Sequence, residues 1–250
     1  MSEPSKPVIV IVGGSSGIGS ALATRLASQG CTLVLAARDL ERLNAAAAAL
    51  GAEAEALDAR DSAAMDKVLS SVHARHGRID GVVNCAGSIL LKPAHLTTDQ
   101  EFAQTLASNL TTAFNLVRSA ARLMMKQPGG GSIVLCSSVA AQRGLMNHEA
   151  IAAAKAGVEG LALAAAATYA RQSVRVNCVA PGLTRTPLTQ GLTQNEALAR
   201  ASAALHPLGR IGEPGDVASA IAWLLSAEQS WITGQVIGID GGLGRVQSRG

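Results

Sequence analysis

The stretch Val8-Ile9-Val10-Ile11-Val12-Gly13-Gly14-Ser15-Ser16-Gly17-Ile18-Gly19 decides the fold. Its first part, Val8–Val12, is a run of β-branched residues with no polar alternation. That pattern describes a strand covered on both faces, as in a parallel sheet. The glycines behind it permit a sharp turn, and a helical pattern over Ile18–Gln29 follows. A turn of this kind presents the free N–H groups and positive dipole end of a helix, which together suit a pyrophosphate. The spacing is G-x-x-x-G-x-G rather than G-x-G-x-x-G, and a tight turn without a ligand is the competing reading.

The same residues also spell G-x-S-x-G around Ser15, the pattern of a hydrolase nucleophile elbow. Its place on the first strand argues against that use, because no upstream segment is left to supply the second oxyanion donor.

Working outward, further Val-, Ile- and Leu-rich runs recur at Thr32–Ala36, Ala54–Asp58, Gly81–Asn84, Ser132–Cys136, Arg175–Val179 and Gln235–Ile239. Helical patterns fill the gaps at Leu40–Leu50, Ser62–His76, Asp99–Met125, Ala150–Arg171 and Asp216–Ser226. Strand–helix alternation of this kind predicts a parallel sheet with right-handed crossovers. The expectation is an α/β fold: a single doubly wound Rossmann-type domain with a seven-stranded parallel sheet. It spans residues 7–250 behind a loose polar tail at residues 1–6, with no linker, repeat or leader peptide.

Composition narrows the function. The chain has 250 residues, 48% hydrophobic and 16% charged, with 26 glycines, which excludes a disordered chain or a coiled coil. A net charge of +3 is mild, and only 2% of the residues are aromatic, so no nucleic-acid partner is expected. The apolar stretch Ile151–Ala170 carries Lys155 and Glu159 and reads as a core helix, with no membrane partner. Cys31, Cys85, Cys136 and Cys178 are widely spaced, which predicts buried free thiols in a cytoplasmic protein and no metal site.

Over nearly its full length the chain resembles the short-chain dehydrogenases/reductases. The glycine segment resembles that family's T-G-x-x-x-G-x-G with Val12 in the threonine place, and Asn84-Cys85-Ala86-Gly87 its N-N-A-G with Cys85 in second place. Asp58, Pro181-Gly182 with Thr186, and Asp240-Gly241-Gly242 follow in the family's order. The resemblance implies a nicotinamide dinucleotide held by Gly13, Ser15, Ser16, Gly17, Ile18 and Gly19 at the phosphates. It places Asp58 at the adenine, and Asn84, Ala86, Gly87, Pro181, Gly182 and Thr186 along the rest of the cofactor. At the end of the second strand, Ala36-Ala37-Arg38-Asp39 puts Arg38 where a 2′-phosphate would lie, so NADP(H) is expected over NAD(H). Asp39 reads as a helix cap. A solvated surface arginine is the competing reading of Arg38.

On the reacting side the resemblance implies catalytic roles for Ser138, Asn109 and Lys155. Lys155 is also notable without it, as the only lysine or arginine between Arg143 and Arg171. The family's tyrosine stands four residues before the lysine, where this chain has Ile151; the one tyrosine, Tyr169, is not followed by lysine at i+4. His148 lies seven residues before Lys155, two helical turns, so both are expected on the same face, and it can donate a proton near neutral pH. A residue merely starting the helix is the alternative. His73, His76, His95 and His206 form no constellation and read as surface residues.

Leu90, Leu91, Leu145, Met146, Leu183 and Leu188 flank these motifs and suggest an apolar carbonyl or enone substrate, with core packing the competing explanation. Small residues Ala156, Gly157, Gly160 and Ala164 would let a second copy approach, giving a homodimer or homotetramer. Two functions remain: an NADP(H)-dependent oxidoreductase with a non-standard proton donor, or a catalytically silent NADP(H)-binding homologue acting as a sensor or partner subunit.

Overall fold

The computed structural model describes residues 6–247. All but the last residue of the expected N-terminal tail therefore lies outside the described residues. Seven strands form one parallel sheet: β1 (Val8–Val12), β2 (Thr32–Ala37), β3 (Glu53–Ala56), β4 (Gly81–Asn84), β5 (Gly131–Cys136), β6 (Val174–Pro181) and β7 (Val236–Ile239). Their order is β3-β2-β1-β4-β5-β6-β7, so the direction of winding reverses between β1 and β4. Ligands of open α/β sheets bind at that switch point, beyond the carboxyl ends of the strands.

Helices cover both faces. One layer comprises α1 (Gly17–Ser28), α2 (Leu40–Leu50) and α9 (Pro214–Leu225), with Leu22, Leu43 and Ile221 in its core. The other comprises α3 (Ser62–His76), α5 (Thr112–Met124) and α6 (Glu149–Tyr169), with Met65, Leu116 and Val158. Val10 and Ile11 point into opposite layers and are both fully buried, each contributing about 1.5–3 kcal/mol. The apolar length of α6 serves this core: Ala150, Ile151, Ala154 and Val158 are buried on its inner side.

Local signals fix several ends. Asp39 caps α2 by accepting from Arg42 N–H, and Gly51 closes it in the left-handed region at φ 63°. Asp61 accepts from Ala63 and Ala64 at the start of α3, and Gly77 ends it at φ 73°.

Four expectations change. Asp99–Met125 is not one helix: α4 (Asp99–Leu106) passes through a π-helical turn, Ala107–Thr111, into α5. There Asn109 Nδ2 donates to the Thr105 carbonyl at 2.9 Å, and Thr112 Oγ1 bonds the carbonyls of Ser108 and Asn109. The segment between β6 and α9 carries α7 (Gln190–Thr193) and α8 (Glu196–Leu205), which buries no side chain and so left no apolar period to read. The third strand ends at Ala56, leaving Asp58 beyond it. Three of the four thiols are only half-buried, since Cys31, Cys85 and Cys136 sit at strand ends; Cys178 alone is in the core.

Candidate active site

At the carboxyl ends of β1, β2 and β4 lies a cleft of about 730 Å³. It brings together Gly13, Ser15, Ser16, Gly17, Ile18, Arg38, Asp58, Ala86, Gly87 and Thr186 from the expected set, and adds Arg42, Arg60, Ser88 and Thr112. A larger cavity of about 1000 Å³ opens at the opposite ends of the strands, around Pro7, Asp80 and Arg175, away from the switch point.

The floor of the cleft is bare backbone by necessity. Gly13 has φ +81°, and a Cβ there would stand 2.8 Å from Ala86 N. Gly17 has φ +54° and faces Thr186, whose Cβ would be 3.2 Å away. Gly19 does not line the cleft: a Cβ on it would meet the Gly13 carbonyl oxygen at 2.2 Å, so its role is to let α1 pack against the turn. Ser16 is the N-cap residue of α1, yet its side chain makes no capping bond and the first turn has no acidic residue. The α1 N–H groups are thus left to an anion, and these features fit a dinucleotide pyrophosphate.

Arginine dominates the rim at β2 and β3. Arg42 pairs with Asp39 at 3.0 Å and Arg60 with Asp58 at 2.6 Å. The hydrogen bond from Arg60 holds the Asp58 carboxyl down at about 2, with Arg38 adding a smaller attraction. Arg38 itself has no ion-pair partner among the described residues, and Asp39 is engaged with Arg42 rather than with it. Neither Arg42 nor Arg60 stood out in the sequence, because their place beside Arg38 comes from the packing of two adjacent strand ends.

Behind Gly87 the polar residues converge. Asn84 is buried; its Oδ1 accepts from Ala86 N–H at 3.1 Å and its Nδ2 donates to Thr112 Oγ1 at 3.1 Å. Asn109 donates to Ser88 Oγ at 3.1 Å and accepts from Ser88 N–H at 3.3 Å. A Cβ on Gly87 would stand 2.8 Å from Asn109 Oδ1 and 3.6 Å from Lys155 Nζ, so this glycine keeps open the space that the two share. Lys155 Nζ donates to the Cys136 carbonyl at 2.8 Å. Burial pushes its pKa below the usual 10.5, while the nearby thiols of Cys136, Cys178 and Cys85 oppose that shift.

The two serines after β5 are now distinct. Ser137 is buried and committed, donating to Glu159 Oε1 at 2.7 Å and to the Lys155 carbonyl at 3.3 Å. Ser138 accepts only from Ala140 N–H, at 3.2 Å, and retains its own proton for another partner. Ile151 is buried one helical turn before Lys155.

His148 stands at the N-cap of α6 with φ −107° and ψ 12°, outside the regular helix, so the seven-residue spacing to Lys155 does not by itself put the two on one face. Its Nδ1 bonds the Met146 carbonyl at 2.8 Å, and Nε2 has no partner among the described residues. Pro181 ends β6, Gly182 follows beside His206, and neither lines the cleft. His206 is a correction: it is 3% exposed, its Nδ1 bonded to the Ser202 carbonyl at 2.6 Å and its Nε2 accepting from Leu183 N–H at 3.3 Å. His76 is likewise tied down, to Glu53 at 2.8 Å.

Comparison with known proteins places this geometry. A family profile described as Enoyl-(Acyl carrier protein) reductase matches residues 12–244. The chain belongs to the short-chain dehydrogenase/reductase family. It is 34% identical to levodione reductase of Leifsonia aquatica over 249 residues, covering 94% of this chain and 93% of that one. It is 37% identical over 244 residues to 3-oxoacyl-[acyl-carrier-protein] reductase FabG of Thermotoga maritima, covering 94% and 97%. The structure of ElxO with NADP bound superimposes with a TM-score of 0.89 at 26% identity, over 96% of this chain and 99% of that one. As a short-chain dehydrogenase/reductase with a Rossmann nucleotide-binding fold, the protein is an oxidoreductase.

Proposed function

We propose that the protein is an NADP(H)-dependent oxidoreductase acting on a ketone or a carbonyl-conjugated C=C, with a proton donor other than tyrosine. The observation that carries the cofactor choice is the unpaired Arg38 guanidinium at the cleft rim, flanked by Arg42 and Arg60. A guanidinium fork suits a phosphate dianion, and the neighbouring carboxylates that would favour ribose hydroxyls already have arginine partners. When bound, the dinucleotide supplies or accepts the hydride.

The chain's own residues do the rest. Gly13, Ser15, Ser16, Gly17 and Ile18 hold the pyrophosphate, with Gly19 shaping the turn. Asp58 meets the adenine side, Asn84 fixes the Ala86–Gly87 turn, and Thr186 closes the cleft opposite Gly17. Ser138 Oγ–H donates to the substrate oxygen, since Ser137 is occupied by Glu159. Lys155 and Asn109 order the space behind Gly87, where a ribose hydroxyl or a water can bridge them. Ile151 fills the place of the family's tyrosine with hydrocarbon, so the proton comes from elsewhere. His148 Nε2 is the nearest unbonded candidate in sequence, with water as the substitute.

An apolar substrate is supported by Leu188, which lines the cleft, and none of Leu90, Leu91, Leu145, Met146, Leu183 and Leu188 belongs to the buried core. Phe102, Phe114 and Leu163 are exposed on α4, α5 and α6, which supports a homodimer or homotetramer through those helices. Gly157 is turned instead onto Leu110 of its own chain. Four unbridged cysteines fit a cytoplasmic protein.

Calorimetric titration with NADP⁺ and NAD⁺ tests the reading. NADP⁺ binds the wild type at least about tenfold more tightly, and Arg38→Ala removes that preference by weakening NADP⁺ alone. Equal affinity for the two dinucleotides, or a preference for NAD⁺, overturns the assignment.

A further inference from the structure

Cys85 and Cys136 lie opposite one another across two neighbouring strand ends. The register of β4 and β5 pairs Asn84 with Leu135, so the next residue of each chain is a cysteine at the same level. Both side chains sit on the face of the sheet that carries α1 and α9, and their sulfurs are 3.9 Å apart. Adjacent strands run about 4.8 Å apart, and disulfides span Cα separations of roughly 4.4–6.8 Å, so the backbone spacing already suits a bridge. Cys85 lines the dinucleotide cleft, and both thiols are half-buried.

We propose that Cys85 and Cys136 form a reversible disulfide under peroxide, and that the bridged protein does not hold the dinucleotide. The second half rests on the dinucleotide reading above.

Geometry supplies the coupling. A sulfur–sulfur bond of about 2.05 Å has to draw the pair together from 3.9 Å, moving the turn that follows Asn84. That turn has no slack, because Gly13 packs directly under Ala86 N and the Cys85 carbonyl carbon. On the other side, the carbonyl of Cys136 is the acceptor that holds Lys155 Nζ. Chemistry favours Cys136 as the attacking sulfur: its contact with the Cys85 sulfur and the nearby Lys155 ammonium both draw its pKa down, whereas Cys85 is pushed up.

The Cys136 thiolate attacks one oxygen of hydrogen peroxide, the O–O bond breaks, and the departing hydroxide takes the proton that Cys136 gave up, forming water. The Cys85 sulfur then displaces the hydroxyl group of the resulting sulfenic acid; the S–S bond forms and a second water leaves with the Cys85 proton. Two thiols lose two electrons and the peroxide gains both. A dithiol reductant reverses the change by exchange.

Trypsin leaves each of the four cysteines on a separate peptide, so the bridge is directly readable. Reduced protein is treated with hydrogen peroxide, alkylated and mapped by mass spectrometry, with and without NADP⁺. The expected product links the Cys85 and Cys136 peptides and leaves Cys31 and Cys178 as alkylated thiols. NADP⁺ at 100 times its dissociation constant slows bridging about 100-fold, because only the free fraction reacts. Calorimetry on the oxidised protein finds NADP⁺ binding lost, and dithiothreitol restores it. In Cys85→Ser and in Cys136→Ser, peroxide no longer changes the affinity each variant had before treatment. Four free thiols after peroxide, Cys136 carried to sulfinic acid without a bridge, or a bridge that leaves NADP⁺ affinity unchanged each overturns the proposal. If the reduced protein binds neither NADP⁺ nor NAD⁺, the functional reading fails instead, while the peptide map still decides the bridge.

Discussion

Ile151 and Lys155 share one face of α6, a turn apart, and their difference in chemistry shapes what the site can do. Isoleucine can neither donate a proton nor share one with the ammonium beside it. Introducing a phenol there, in Ile151→Tyr, should raise carbonyl reduction in steady-state assays with ketones, by at most the roughly 10²–10⁴-fold that a general acid contributes. The lysine has a signature of its own. Because burial lowers its pKa, the unfolded chain binds more protons than the folded one from the lowered value up to 10.5. Stability carried by this group therefore rises with pH through that window. Thermal melts of the wild type and Lys155→Met should show the wild type gaining on the variant as pH climbs towards 10.5; a constant difference contradicts the buried-ammonium description.

At the scale of elements, the β1–turn–α1 unit is the most constrained part of the molecule. A methyl on Gly19 would fall 2.2 Å from the Gly13 carbonyl oxygen, backbone that has nowhere to move. Gly19→Ala should cost about 1–3 kcal/mol and lower the melting temperature by roughly 2–4 °C for each kcal/mol, with dinucleotide binding lost in titration. This unit was legible in the sequence because the strand run and the glycines are contiguous. So were α2 and α3, whose ends are marked by Asp39, Gly51, Asp61 and Gly77. The π turn at Asn109 was not, since the helical period runs through Ala107–Thr111 without a break and the widening is set by side-chain bonds. Nor was α8, which has a capping Asn195 but no buried face. The arginine group at the rim and the facing thiols were hidden for a common reason: strand register brings them together from segments well separated in the chain.

Across the whole molecule, the winding reversal at β1 and β4 puts the dinucleotide cleft beyond the carboxyl ends of the central strands, and α4, α5 and α6 expose Phe102, Phe114 and Leu163. Sedimentation of the wild type should give a dimer or tetramer. Charged replacements at Phe114 and Leu163 together should dissociate it, whereas a monomeric wild type removes the basis for that interface. The central claim is redox turnover without the tyrosine, and it is tested most directly by following NADPH absorbance with ketones, enones and enoyl thioesters. Wild type, His148→Ala and Ile151→Tyr are compared. The account predicts that the wild type consumes NADPH with at least one of these classes and that His148→Ala loses about 10²-fold or more. A wild type that binds NADPH yet reduces nothing, with turnover appearing only in Ile151→Tyr, would contradict it.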